Sequence, residues 1–175
     1  MVYNKIRRII LDKNLYLLAE LDNDTQIIMN NYYKVILEYE IIGSHTKDIP
    51  YHFTLCSYSI DNENEIIKLM DKINGKYNEL NISFSGFGLF GLNVLYFNPV
   101  MDKTLLELYD YFKNISNNKN NGLAAHTTLL IDEPDNIIKI LPKVTKEFKP
   151  FTGKIINLSL YEYFPKRFIH KINLV

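Results

Sequence analysis

The tetrapeptide His52-Phe53-Thr54-Leu55 returns as His126-Thr127-Thr128-Leu129, and the reading of this repeat decides the fold. Both stretches read as strands, in which side chains alternate between faces, so each His shares a face with the Thr two residues on. An imidazole therefore stands beside a hydroxyl twice. With 4 His, 8 Thr and 22 Leu in 175 residues, chance supplies roughly 0.02 copies of His-x-Thr-Leu (4 × 8/175 × 22/175). Two copies are a signal.

Working outward from the first copy, Pro50 introduces its strand, preceded by a loop at 42–49. Residues 14–21 (NLYLLAEL) read as a buried strand. Asp22 or Asp24 is placed to cap a helix whose apolar stripe is Ile27, Ile28, Tyr32, Val35, Ile36 and Tyr39. After the motif, Ile66, Met70, Ile73 and Tyr77 mark a second helix ending near Gly75. A hairpin follows, with strands at 81–90 and 93–100 around Gly91-Leu92. Asp102 caps a third helix through Leu105, Leu106, Tyr109 and Phe112, and the Asn-rich stretch Asn114 to Gly122 reads as a loop leading to the second copy. Pro134 opens a fourth helix carrying Ile137, Ile138 and Leu141, with a kink or restart expected at Pro142. Strands at 153–163 and 167–174 close the chain around Pro165. Strand, helix, motif strand, helix thus occurs twice, the motifs lying 74 residues apart (126 − 52).

Composition bounds the class. Hydrophobic residues make up 47% and aromatics 13% of the chain, enough for one packed core, and no shift in composition marks a linker, so residues 1–175 read as a single domain. Twenty basic and twenty acidic residues cancel, which argues against a long nucleic acid held by a global positive field. A small anionic partner met locally is expected. The lone Cys56 excludes an internal disulfide, and no long apolar run points to a membrane or to secretion, so a reduced cytoplasm and a monomer are expected.

The two motifs, their separation and the element order resemble the 2H phosphoesterase superfamily, in particular its 2′-5′ RNA ligase-like branch. The opening YLLAELDNDTQ, both motifs and the closing LSLYEYFPKRFIHKINL carry the likeness, which leaves only the basic first dozen residues outside. The resemblance implies an α+β, bilobal fold, with two pseudo-twofold-related lobes, each an antiparallel sheet flanked by helices, around a central cleft. It implies that His52, Thr54, His126 and Thr128 face one another as a catalytic set. The implied activity is hydrolysis of 2′,3′-cyclic phosphates or 2′-5′ linkages of nucleotides or RNA ends. By the family's pattern His52 protonates the leaving oxygen and His126 activates water.

The residue types suit that chemistry. Opening a cyclic phosphodiester needs a base for water and an acid for the departing ribose oxygen, and two imidazoles can divide those roles near neutral pH. Each Thr hydroxyl can donate to a non-bridging phosphate oxygen, where charge builds up. Neither motif carries clustered carboxylates, so no metal or other cofactor is expected. Relatives with ligase or nucleotide phosphodiesterase activity commonly carry an Arg just after the second motif, whereas Leu130, Ile131 and Asp132 follow here. With the neutral charge, that favours a small nucleotide or an RNA end over duplex or long RNA, and leaves a non-catalytic nucleotide- or RNA-binding module, or 2′-5′ RNA ligase activity, as alternatives. From the closing turn, Lys166 and Arg167 are candidate phosphate contacts, and Tyr161 or Tyr163 candidates to stack on a base. Outside the set, His45 reads as a surface residue and His170 as packed beside Phe168, Ile172 and Leu174. Cys56 alternates onto the Thr54 face, and Thr127 points away from His126 to pack.

Overall fold

The computed structural model describes residues 14–44, 49–117, 120, 122–163 and 165–175. His45 and the basic first dozen residues lie outside them. Seven strands, β1 (Asn14–Leu21), β2 (His52–Ser59), β3 (Leu80–Phe90), β4 (Val94–Val100), β5 (Thr127–Ile131), β6 (Phe151–Glu162) and β7 (Arg167–Asn173), form one sheet in which all pairs are antiparallel. Its order is β2-β1-β6-β3-β4-β5, with β7 also on β6. Read from either end, this order runs motif strand, partner strand, joining strand, so a pseudo-twofold passes between β6 and β3. The two motif strands are the outermost members, yet β2 and β5 touch, which means that the sheet curls until its edges meet.

Four helices, α1 (Asn23–Leu37), α2 (Glu63–Ile73), α3 (Lys103–Phe112) and α4 (Pro134–Glu147), are described. Asp22 and Asp102 are the caps, accepting from the backbone of Thr25 at 3.2 Å and Thr104 at 2.7 Å. Each half lends a helix to the other: α1 packs on β5 and α3 on β2. The core between helices and sheet contains a run of rings, Phe53 on β2, Phe84 on β3, Phe97 on β4 and Phe151 on β6. Centroid separations of 4.8 to 6.2 Å tie both halves together directly beneath the motif strands, each pair worth about 0.5–1.5 kcal/mol beyond its buried area.

The helical faces differ from the simple stripe in three of four cases. Burial falls on Met29, Tyr33 and Ile36 in α1, on Leu105, Leu108, Tyr109 and Phe112 in α3, and on Ile137, Ile140 and Val144 in α4. Ile27, Leu106 and Ile138 are exposed instead. Only α2 buries the expected Ile66, Met70 and Ile73. Pro142 neither ends nor restarts α4, because the carbonyl it leaves without an N–H belongs to Ile138, on the water side. The β3–β4 hairpin uses three residues, 91–93, with Gly91 at φ 57°.

Two of the sheet's register shifts overturn a reading made from alternation. Leu17 pairs with Cys56 but Leu18 with Thr54, so Leu55 is an extra residue in β2 and Cys56 moves from the Thr54 face into the core. Burial pushes its thiol pKa up. Ile169 is likewise extra in β7, so Phe168 lies opposite Tyr161 and on the other face from His170. His170 is half-buried against α2, its Nε2 2.8 Å from Asp71. No helix among the described residues is long and apolar enough to cross a membrane.

Candidate active site

Both histidines are set by the same local device. Nδ1 of His52 lies 2.7 Å from the carbonyl oxygen of Pro50, and Nδ1 of His126 lies 2.7 Å from that of Ala124, two residues upstream in each case. A carbonyl only accepts, so Nδ1 carries the hydrogen and Nε2 is the nitrogen available for proton transfer. Among the described residues no hydrogen bond occupies either Nε2. Thr54 and Thr128 are half-buried on the faces of their histidines, while Thr127 is fully buried on the opposite face, as alternation expects.

The first half is fixed further by an amide clamp. Gln26 on α1 donates through Nε2 to the Tyr51 carbonyl at 2.8 Å and accepts from the Tyr51 N–H at 2.7 Å. The residue before His52 is thereby held on both backbone groups. On the motif face, Glu20 of β1 is the cross-strand partner of His52, and its side chain is almost wholly buried. Lys171 reaches its Oε2 at 2.8 Å, and the Tyr161 hydroxyl donates to the same carboxylate. The Asn157 amide joins in, accepting from Lys171 Nζ at 3.0 Å and donating to Asn173 at 2.7 Å. None of these partners is near His52 in sequence.

The second half uses rings instead. His126 meets Phe90 edge-on at 4.7 Å between centroids and Tyr96 at 5.5 Å, and the two aromatics lie 4.5 Å apart. Tyr96 is the cross-strand partner of both Thr128 and Gly88. Its ring lies over Gly88, where a Cβ would collide with it, so the missing side chain is what leaves room for the ring beside His126.

Electrostatics distinguishes the pair. Burial holds the His52 pKa below the ordinary imidazole value, the Pro50 carbonyl and the Glu20 carboxylate oppose that, and charge on His126 pushes it lower still. A charge on His126 therefore disfavours a second charge on His52.

The closing-turn residues divide. Tyr161 lies on the motif face, its ring 5.5 Å from Phe168, and Tyr163 packs at 4.7 Å on Tyr16; burial raises the pKa of both phenols. Lys166 is exposed. Arg167 is taken up by two carboxylates, Nε to Glu162 at 2.8 Å and the guanidinium head to Glu63 at 2.5 Å, on the helix side of the sheet. Its guanidinium is therefore not brought to the motif face. Asp132, which follows the second motif, accepts from the Glu133 N–H at 2.7 Å and from the Asn136 amide at 2.9 Å, just before α4. Among the described residues no three His, Cys, Asp or Glu side chains converge as a metal cage.

No family model matches the chain, and no curated protein matches it. Solved structures do. A protein described as a phosphoesterase matches over 94% of this chain and 99% of its own, at 14% identity and TM-score 0.60. TT0787 of Thermus thermophilus matches over 92% and 97%, at 11% identity and TM-score 0.67. LigT of E. coli, in complex with ATP, matches over 93% and 98%, at 14% identity and TM-score 0.58. At such identities the likeness shows the fold: the chain shares the fold of these structures, the α+β fold that the resemblance of its two motifs implied.

Proposed function

We propose that this chain is a metal-independent phosphodiesterase that opens 2′,3′-cyclic phosphates, or cleaves 2′-5′ linkages, of nucleotides or RNA ends. The observation that carries it is the twin arrangement of His52 and His126, each anchored through Nδ1 to a carbonyl two residues upstream, at the two sheet edges that meet. His52 is the resting base, because burial keeps it neutral, and His126 is the acid. This reverses the order implied by the family's pattern. Water loses its proton to His52 Nε2 as its oxygen bonds to phosphorus. The bond from phosphorus to the ribose 3′ oxygen breaks, and that oxygen takes the proton from His126 Nε2. The products are a 2′-phosphate and a free 3′ hydroxyl, and the two histidines return to their starting states by exchange with solvent. Thr54 and Thr128 donate to the non-bridging oxygens, whose charge grows in the transition state.

The fold relative LigT has been solved with ATP, NADP+, 3′-AMP and phosphate, which supports a nucleotide or phosphate ligand. Of the closing-turn cations expected to meet the substrate's charge, Arg167 is held by Glu63 and Glu162. The test is incubation with 2′,3′-cyclic mononucleotides and 2′-5′-linked dinucleotides in excess EDTA. Turnover to a 2′-phosphate is expected, with a bell-shaped pH profile. Loss on chelation that added divalent ion restores would overturn the mechanism, and binding without turnover would favour a nucleotide-binding module.

A further inference from the structure

We propose that Glu20 is a positioning residue for His52: its carboxylate, held by Lys171 and Tyr161, faces the imidazole across the β1–β2 ladder and balances the positive charge that His52 acquires on taking a proton. Its catalytic meaning rests on the function proposed above. Three observations carry it. Glu20 and His52 are directly paired residues on adjacent strands, so their side chains share one face. The Glu20 side chain is only 6% exposed, and a carboxylate so buried is tolerated only where its charge is matched. Lys171 at 2.8 Å and the Tyr161 hydroxyl match it on one side, while His52 is the titrating group on the other.

The charged groups that act on His52 are Glu20 from β1 and His126 just before β5, while Tyr161 from β6 and Lys171 from β7 act on Glu20. Glu20 is the one anion among these, so His52 meets water's proton beside a negative charge already in place. Lys171 tempers that charge. Without it the carboxylate would hold a proton on His52 too firmly and leave it a poor base at neutral pH; without Glu20 the buried imidazole would be too weak a base. The pair therefore sets an intermediate proton affinity through residues 151 apart in sequence.

The test is an NMR titration of the His52 ring in the full chain, which needs no substrate. Glu20→Gln is expected to lower the midpoint by about one pH unit, and Lys171→Met to raise it. Glu20→Asp, which keeps the charge, is expected to stay near the unaltered protein. Opposite signs are the signature, because a merely structural pair would move both variants alike or neither. If Glu20→Gln does not fold, Lys171→Met and Glu20→Asp still decide. A midpoint unmoved by Lys171→Met, or lowered by it, overturns the proposal. Where cyclic nucleotides are hydrolysed, the acid limb of kcat/KM should move with the same signs. Shifted titrations without turnover would retain Glu20's role and reject the phosphodiesterase reading. Turnover with unshifted titrations would do the reverse.

Discussion

The two halves of the motif face carry the same His-x-Thr unit and the same histidine-to-carbonyl bond, yet one surrounds its imidazole with charge and the other with rings. Around His52 stand Glu20, Lys171, Tyr161 and the Gln26 clamp; around His126 stand Phe90 and Tyr96 over a glycine. Duplication thus sets where the two nitrogens point, and divergence of the neighbours gives each imidazole its own surroundings. On the function proposed above, this difference is what would make a symmetric frame an asymmetric acid–base pair.

The bluntest way to break that account is to remove each imidazole in turn. His52→Ala and His126→Ala should each reduce kcat by about 10²–10⁴-fold with the circular dichroism spectrum preserved. Retained activity in either would show that the halves do not act as partners. Replacing Thr54 or Thr128 by Val removes one donor to the phosphoryl oxygens, and each should lower kcat by about 10²-fold. Unequal effects would sharpen the comparison by showing which half meets the developing charge.

Smaller effects probe the surroundings. Gly88→Ala forces the Tyr96 ring off its strand and should destabilise by about 1–3 kcal/mol, read by urea unfolding. Unchanged stability would mean that the ring bed has slack. The smallest expected effect concerns pH. Because the folded His52 pKa lies below its unfolded value, the unfolded chain binds the extra proton, so this residue's contribution is intact above about pH 6.5 and declines as pH falls. A His52→Gln variant should therefore lose less stability than the unaltered chain between roughly pH 7 and pH 5, and parallel curves would contradict the buried, neutral imidazole.

Much of this was legible in the chain. The strand at 14–21, both motif strands, the Asp22 and Asp102 caps and the pairing of each His with its Thr follow from period, composition and capping chemistry, all of which are local. What was not legible depends on partners far along the chain. The bulges at Leu55 and Ile169 arise from register between strands, and alternation alone cannot see an extra residue. That is why Cys56 read as facing the site and Phe168 as sharing a face with His170. Arg167 looked like a phosphate ligand because Glu63, 104 positions away, is invisible to a local reading. Glu20 and Gln26 carried no motif at all. A Glu two residues before a helix cap in an otherwise apolar strand is the signal that could have marked the first of them.

The place of β6 in the sheet also bears on how the molecule acquires its shape as it is made. This strand pairs with β1, β3 and β7 and so joins the two halves, but it comes from residues 151–162, after both motifs have been synthesised. A nascent chain that already displays His52 and His126 still lacks the strand between β1 and β3, and the loops that must close around it are long. Until then the β1–β2 and β3–β4 pairs are open edges, at risk of pairing with other chains. Hydrolytic competence should therefore emerge in one late step, and its appearance during refolding would time the docking of β6.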